Sequence, residues 1–154
     1  MGSFQQQIHA TAVDVDGVGV VLRGPSGSGK SDLALRLIDG GARLVADDRT
    51  DLTVTEGRLW AAPPPALAGG LEVRGVGLLR LDYRAVIAVG LVVDLVAPAA
   101  VERLPDAATC AYGGCDLPLL RLAPFEASAP AKIRLMAARL GGAIGVFRAG
   151  EDRT

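Results

Sequence analysis

Apolar residues fall in short blocks separated by glycine, proline and acidic turns, and the blocks follow two different periods. Residues 8–15 and 18–23 are largely apolar on either side of Asp16-Gly17, which predicts two strands joined as a tight hairpin. From Lys30 the spacing becomes helical, with Leu33, Leu35, Leu37 and Ile38 mostly inward, until Gly40-Gly41 ends the pattern. Residues 43–46 read as a short strand running into Asp47-Asp48, and 52–55 with 58–61 as a hairpin around Glu56-Gly57. Pro63-Pro64-Pro65 breaks the chain, and 71–80 follows as a glycine-punctuated strand and loop. Residues 87–96 form the most apolar strand, whereas the Ala/Pro/Gly-rich 98–117 reads as mostly loop. Ser128 is expected to cap a helix through Leu140, with Pro130 in its first turn and Gly141-Gly142 ending it. Hairpins outnumber βαβ units, so the pattern predicts an α/β chain with a mixed sheet rather than a doubly wound one. No repeat or linker interrupts it, and 154 residues fit one domain, 1–154.

Composition narrows the class. Half of the residues are apolar and few are aromatic, as expected of a compact core built on Ala, Val and Leu. A net charge of −1 gives no electrostatic footprint for nucleic acid or an anionic membrane. The opening residues carry no pattern of a secretory leader, and the longest apolar run, 85–93, is too short to cross a bilayer. Cys110 and Cys115 with one distant histidine do not make a zinc site, and they read as ordinary thiols of a reducing cytosol.

One stretch points directly to chemistry. Gly24-Pro25-Ser26-Gly27-Ser28-Gly29-Lys30-Ser31 fits G-x-x-x-x-G-K-[ST], between an expected strand and an expected helix. Glycines let backbone N–H groups wrap a phosphate, the lysine adds a point charge, and the last hydroxyl can ligate Mg²⁺. Asp47-Asp48 closes the next strand, where one acid could serve Mg²⁺ and the other could take a proton from an attacking hydroxyl. A strand-terminal turn with two solvated acids is the other reading of that pair. Glu72-Val73-Arg74-Gly75 sets an acid and a base on one face if extended, for chemistry or as a surface pair. His9, the only histidine, lies in the first strand, where a structural role is the commoner one. Asp94 ends a hydrophobic run in the manner of a second nucleotide-binding motif, and the pattern alone does not choose between it and Asp47 or Asp48.

These residues converge on one family. The chain resembles the catalytic domain of the bacterial HPr kinase/phosphorylase, the serine kinase of the phosphocarrier HPr, over about residues 8–103. The resemblance is carried by the His9 strand, Val15-Asp16-Gly17-Val18-Gly19-Val20, the loop 24–31, Arg43-Leu44-Val45-Ala46-Asp47-Asp48 and Ala61-Ala62-Pro63-Pro64. Leu71-Glu72-Val73-Arg74-Gly75-Val76-Gly77 looks like the family's own signature. The resemblance implies a nucleotide-binding core like that of phosphoenolpyruvate carboxykinase, and ATP and Mg²⁺ as cofactors. It places His9, Lys30, Arg74 and Arg103 in the active site, makes Ser31 and Glu72 Mg²⁺ ligands, and takes the general base from Asp47/Asp48, with Asp48 favoured by spacing. Asp94 then falls on an ordinary strand.

The implied activity is ATP-dependent phosphorylation of a serine on HPr or a close relative, in the cytoplasm and by a homo-oligomer, as in the hexameric longer members. The family's Pro/Gly/Arg/Asn stretch, tied to dephosphorylation, is replaced by Pro-Phe-Glu-Ala-Ser-Ala-Pro-Ala-Lys-Ile-Arg at 124–134, so the phosphorylase half is not carried over. Two other readings of the loop stand beside this one. A small-molecule kinase would normally bring a lid insertion, and none is evident. A non-catalytic nucleotide-binding module is the other, although no N-K-x-D motif for reading guanine is present.

Overall fold

The computed structural model describes residues 4–147. Strands β1 (Gln5–Ile8), β2 (Ala10–Val15) and β3 (Val18–Arg23) lead into α1 (Lys30–Asp39), followed by β4 (Arg43–Ala46), β5 (Thr50–Thr55) and β6 (Arg58–Ala62). Then come β7 (Gly70–Val73), β8 (Gly77–Arg80), β9 (Ile87–Leu95), β10 (Ala108–Tyr112), β11 (Cys115–Leu122) and α2 (Ala129–Leu140). The main sheet runs β1-β5-β6-β9-β3-β2-β4, with β11 joined to β9 and β10 to β11. β3 and β11 lie parallel to β9 and every other pair is antiparallel, so the expected mixed sheet is found.

β9 holds this arrangement together by pairing with β3, β6 and β11. Being covered on both faces, it and β3 read as nearly continuous apolar runs. One core lies under the helices: Val20 and Leu22 of β3 and Leu91 and Val93 of β9 meet Leu33 and Leu37 of α1 and Ile133 of α2. The opposite face packs Val21, Val92, Ile87 and Val89 against Leu52, Leu59 and Leu117. Strict alternation would put residues 87, 89, 91 and 93 on one face. A bulge prevents this: Gly19 pairs with Val89 but Val20 with Leu91, so Gly90 is an extra residue that reverses the facing of the rest of β9.

Four details differ from the sequence reading. The first strand is two: the chain bends at His9, β1 pairing with β5 and β2 with β3 and β4, because the two halves serve different parts of the sheet. Residues 98–117 are not mostly loop, since β10 and the start of β11 form a hairpin over Gly113-Gly114, both at positive φ. Ser128 stands at the start of α2, but its side chain makes no capping hydrogen bond and its backbone is already helical. Residues 71–80 form a separate two-stranded hairpin, β7-β8, which keeps Leu71 fully buried and exposes Val76 and Leu78.

The bulge leaves no room beside it. A methyl group at Gly19 would run into the backbone carbonyl of Ala88 and the Ile87 side chain. Gly19→Ala is therefore expected to destabilise the fold by about 1–3 kcal/mol, read from the urea unfolding midpoint. An unchanged midpoint would contradict this packing.

Candidate functional site

The parallel strands β3, β9 and β11 all end on one side of the sheet, and the loop 24–29 leaves β3 there to open α1. A turn bond from Ser28 N–H to Pro25 O (3.0 Å) curls this loop, and Gly27 and Gly29 hold positive φ angles that a side chain would strain. Gly29 is the N-cap residue of α1, and among the described residues no side chain caps this helix start, which leaves its first N–H groups without a side-chain partner. Lys30 is nearly buried, and its Nζ donates to the carbonyls of Gly24 (2.7 Å) and Pro25 (3.1 Å). No carboxylate forms an ion pair with it among the described residues. The Ser28 hydroxyl is buried without a hydrogen-bond partner among the described residues. A buried ammonium balanced only by carbonyls, an orphaned hydroxyl and a bare helix N-terminus are together a donor set that fits an anion.

Asp47 connects this loop to the rest of the site. Its Oδ1 accepts from Ser31 Oγ (2.6 Å) and Thr11 Oγ1 (3.1 Å), and its Oδ2 accepts from the Glu72 backbone N–H (3.2 Å). Thr11, fully buried in β2, also accepts the Asp48 N–H at 3.1 Å. One threonine thus holds both members of the acidic pair. Asp48 sits at φ 65°, a left-handed conformation that Asp and Asn tolerate. Its exposed carboxylate has no partner among the described residues.

The other predicted residues divide by place. Ser31 and Glu72 are brought to Asp47, the latter through its backbone, while the Glu72 side chain is exposed and unpaired among the described residues. His9 is exposed in the bend before β2, beyond the Ala10–Arg23 pair, at the level where the loop leaves β3. Arg74 does not share a face with Glu72, because β7 ends at Val73 and Arg74 lies in the turn beyond it. Arg103 is exposed in the segment after β9, at the same end of the sheet, and touches none of the others through a hydrogen bond or ion pair among the described residues.

Asp94 occupies the end of the strand beside β3, where a second nucleotide-binding acid would stand. Its carboxylate is held by Arg23 at 2.7 and 3.0 Å, a two-point pair that also involves the Tyr112 hydroxyl, 2.9 Å from Arg23. The bond to Asp94 raises the guanidinium further above its ordinary pKa. Asp94 is therefore committed to an ion pair, and the acid that meets the loop serine is Asp47. At Cys110, burial raises the thiol pKa, and no group of three metal-binding side chains occurs among the described residues. No helix among them is long and apolar enough to cross a membrane.

Sequence reasoning missed Thr11, whose only signal is a hydroxyl inside an apolar strand. It also passed over Arg36, whose guanidinium ties α1 to the carbonyls of Pro124 and Glu126 after β11.

Comparison with known proteins places the chain in a family. HPr kinase/phosphorylase of Clostridium tetani is 47% identical over 75 residues, covering 49% of this chain and 25% of that protein. The Streptococcus thermophilus protein of the same name is 49% identical over 73 residues, covering 47% and 24%. The chain's match thus spans about a quarter of the length of these curated relatives. The solved Hpr(Ser) kinase/phosphatase from Coxiella burnetii superposes with a TM-score of 0.77 at 27% identity, covering 89% of this chain and 92% of that one. The family model of the HPr Serine kinase C-terminal domain matches residues 3–94, and by that match the chain belongs to this family.

Proposed function

We propose that the chain is an ATP-dependent protein-serine kinase acting on HPr or a closely related phosphocarrier. The observation that carries this reading is the Asp47 carboxylate, which joins the loop serine, the Asp48 turn and the signature hairpin in one cluster. It supports a phosphate-binding role for residues 24–31 in a core like that of phosphoenolpyruvate carboxykinase. There the backbone N–H groups and Lys30 hold the β- and γ-phosphates. Ser31 and Glu72 are the residues that would hold Mg²⁺, with Asp47 accepting the hydrogen bond of the Ser31 hydroxyl so that its oxygen lone pairs stay available. When bound, the metal would neutralise charge between the β- and γ-phosphates.

Asp48 is the proposed general base. Asp47 already receives three donors, whereas the Asp48 carboxylate is exposed and unpaired among the described residues. Asp48 takes the proton of the substrate serine hydroxyl. The serine oxygen bonds to the γ-phosphorus, and the bond to the bridging oxygen breaks to release ADP. The proposal also assigns His9, Arg74 and Arg103 to the transferring phosphoryl, where the two guanidinium groups would stabilise its charge. The phosphorylase reaction is not part of the proposal, because residues 124–134 lack the Pro/Gly/Arg/Asn stretch that the family ties to it. The reading includes a cytoplasmic location and a homo-oligomer.

Incubation with Mg²⁺-ATP and HPr, followed by mass mapping, is expected to find one phosphoserine on HPr. Folded, ATP-binding protein that leaves HPr unmodified would overturn the proposal. Asp48→Asn keeps the backbone conformation and is expected to lower kcat by about 10²–10⁴-fold with ATP affinity retained. Thr11→Val removes the hydroxyl that orders the pair and is expected to cost about tenfold in kcat, with Thr11→Ser restoring it. Equal activity of Thr11→Val and wild type would show that the Asp pair needs no such support.

A further inference from the structure

Phe125 stands apart from both cores. It follows β11 in the turn 123–126, and its side chain is 70% exposed. Yet the turn is firmly held: Arg36 donates to the carbonyls on either side of it, Pro124 and Glu126, while its Nε is engaged by Asp32 at 3.0 Å. The ring is held against the phosphate loop itself. A Cβ at Gly29 would come within 2.8 Å of the Phe125 Cζ, so the ring edge fills the place that residue 29 leaves vacant.

Position and chemistry both point to a ligand. The turn leaves β11 at the end where β3 and β9 also finish, the side on which ligands of such sheets bind. Loop residues 24–31 are glycine, proline, serine and one lysine, which suit phosphates but offer little flat apolar surface for a nucleoside. Phe125 presents such a surface beside them, most of it open to solvent, on a backbone pinned to the helix that the loop opens.

We propose that Phe125 is the base platform of the nucleotide site, stacking on the purine ring of a nucleoside triphosphate whose phosphates lie in residues 24–31. The inference rests on the nucleotide-binding part of the proposed function. Stacking of a base on an aromatic side chain is worth roughly five- to a hundredfold in affinity.

The test is equilibrium binding of Mg²⁺-ATP and of Mg²⁺-tripolyphosphate, which has no base, to wild type and Phe125→Ala. The variant is expected to lose roughly five- to a hundredfold in ATP affinity and to keep its tripolyphosphate affinity. Phe125→Leu, which keeps apolar bulk against Gly29, is expected to show the same selective loss and serves where the alanine variant does not fold. Phe125→Trp in a Trp60→Phe background is expected to retain ATP binding, with fluorescence quenched by ATP and not by tripolyphosphate. Unchanged ATP affinity, or equal losses for both ligands, would overturn the proposal and leave Phe125 as packing for the loop. Wild-type protein that binds neither ligand would overturn the phosphate-loop reading as well, an outcome distinct from failure of the platform alone.

Discussion

The Asp47 carboxylate is the constraint on which the site depends. It sits at the end of β4 and accepts from a helix residue, a strand residue and a hairpin backbone that are far apart in the chain. Bonds to a charged acceptor are stronger than neutral ones, and three of them together fix its orientation. α1, β2 and the β7-β8 hairpin are thereby referenced to a single point. Among the described residues the hairpin pairs with no other strand, and Leu71 is its fully buried side chain. Thr11 extends the constraint by one residue, since its hydroxyl joins the Asp47 carboxylate to the Asp48 amide.

The sheet sets the stage for this cluster. β9 must face two cores, and the extra residue at Gly90 lets one strand serve the face under the helices and the face opposite. Because β3 and β11 run parallel to β9, the loop 24–29, the segment carrying Arg103 and the turn carrying Phe125 all emerge at one end. At that end two acids compete for the role of partner to the loop serine. Arg23 removes Asp94 from the competition by pairing with it at two points, and Ser31 is left to Asp47.

Much of this was legible in the residues. The loop 24–31, the Asp47-Asp48 turn and the mixed character of the sheet follow from local pattern, because turns, glycines and apolar runs are read over a few positions. The β10-β11 hairpin was hidden because Pro118 and an Ala-rich run imitate a loop, although Gly113-Gly114 was the turn signal. The bulge at Gly90 and the break at His9 are set by which strands lie alongside, which no local pattern encodes. Thr11 and Phe125 escaped for the same reason: a buried hydroxyl and an exposed ring gain meaning only from Asp47 and Gly29, brought to them by the fold. Arg74 shows the reverse error, since an extended reading of 72–75 missed the turn that begins after Val73.

In the proposed function, Asp47 with Ser31 and Glu72, and not Asp94, organises the metal and phosphate end of the site. A crystal structure with Mn²⁺ and a non-hydrolysable ATP analogue, the metal located by its anomalous scattering, tests this most directly. The expected result is a metal peak beside Ser31 and Glu72, the phosphates within residues 24–31, and the Arg23–Asp94 pair intact. A metal bound by Asp94 with that pair broken, or phosphates seated away from the loop, would contradict it.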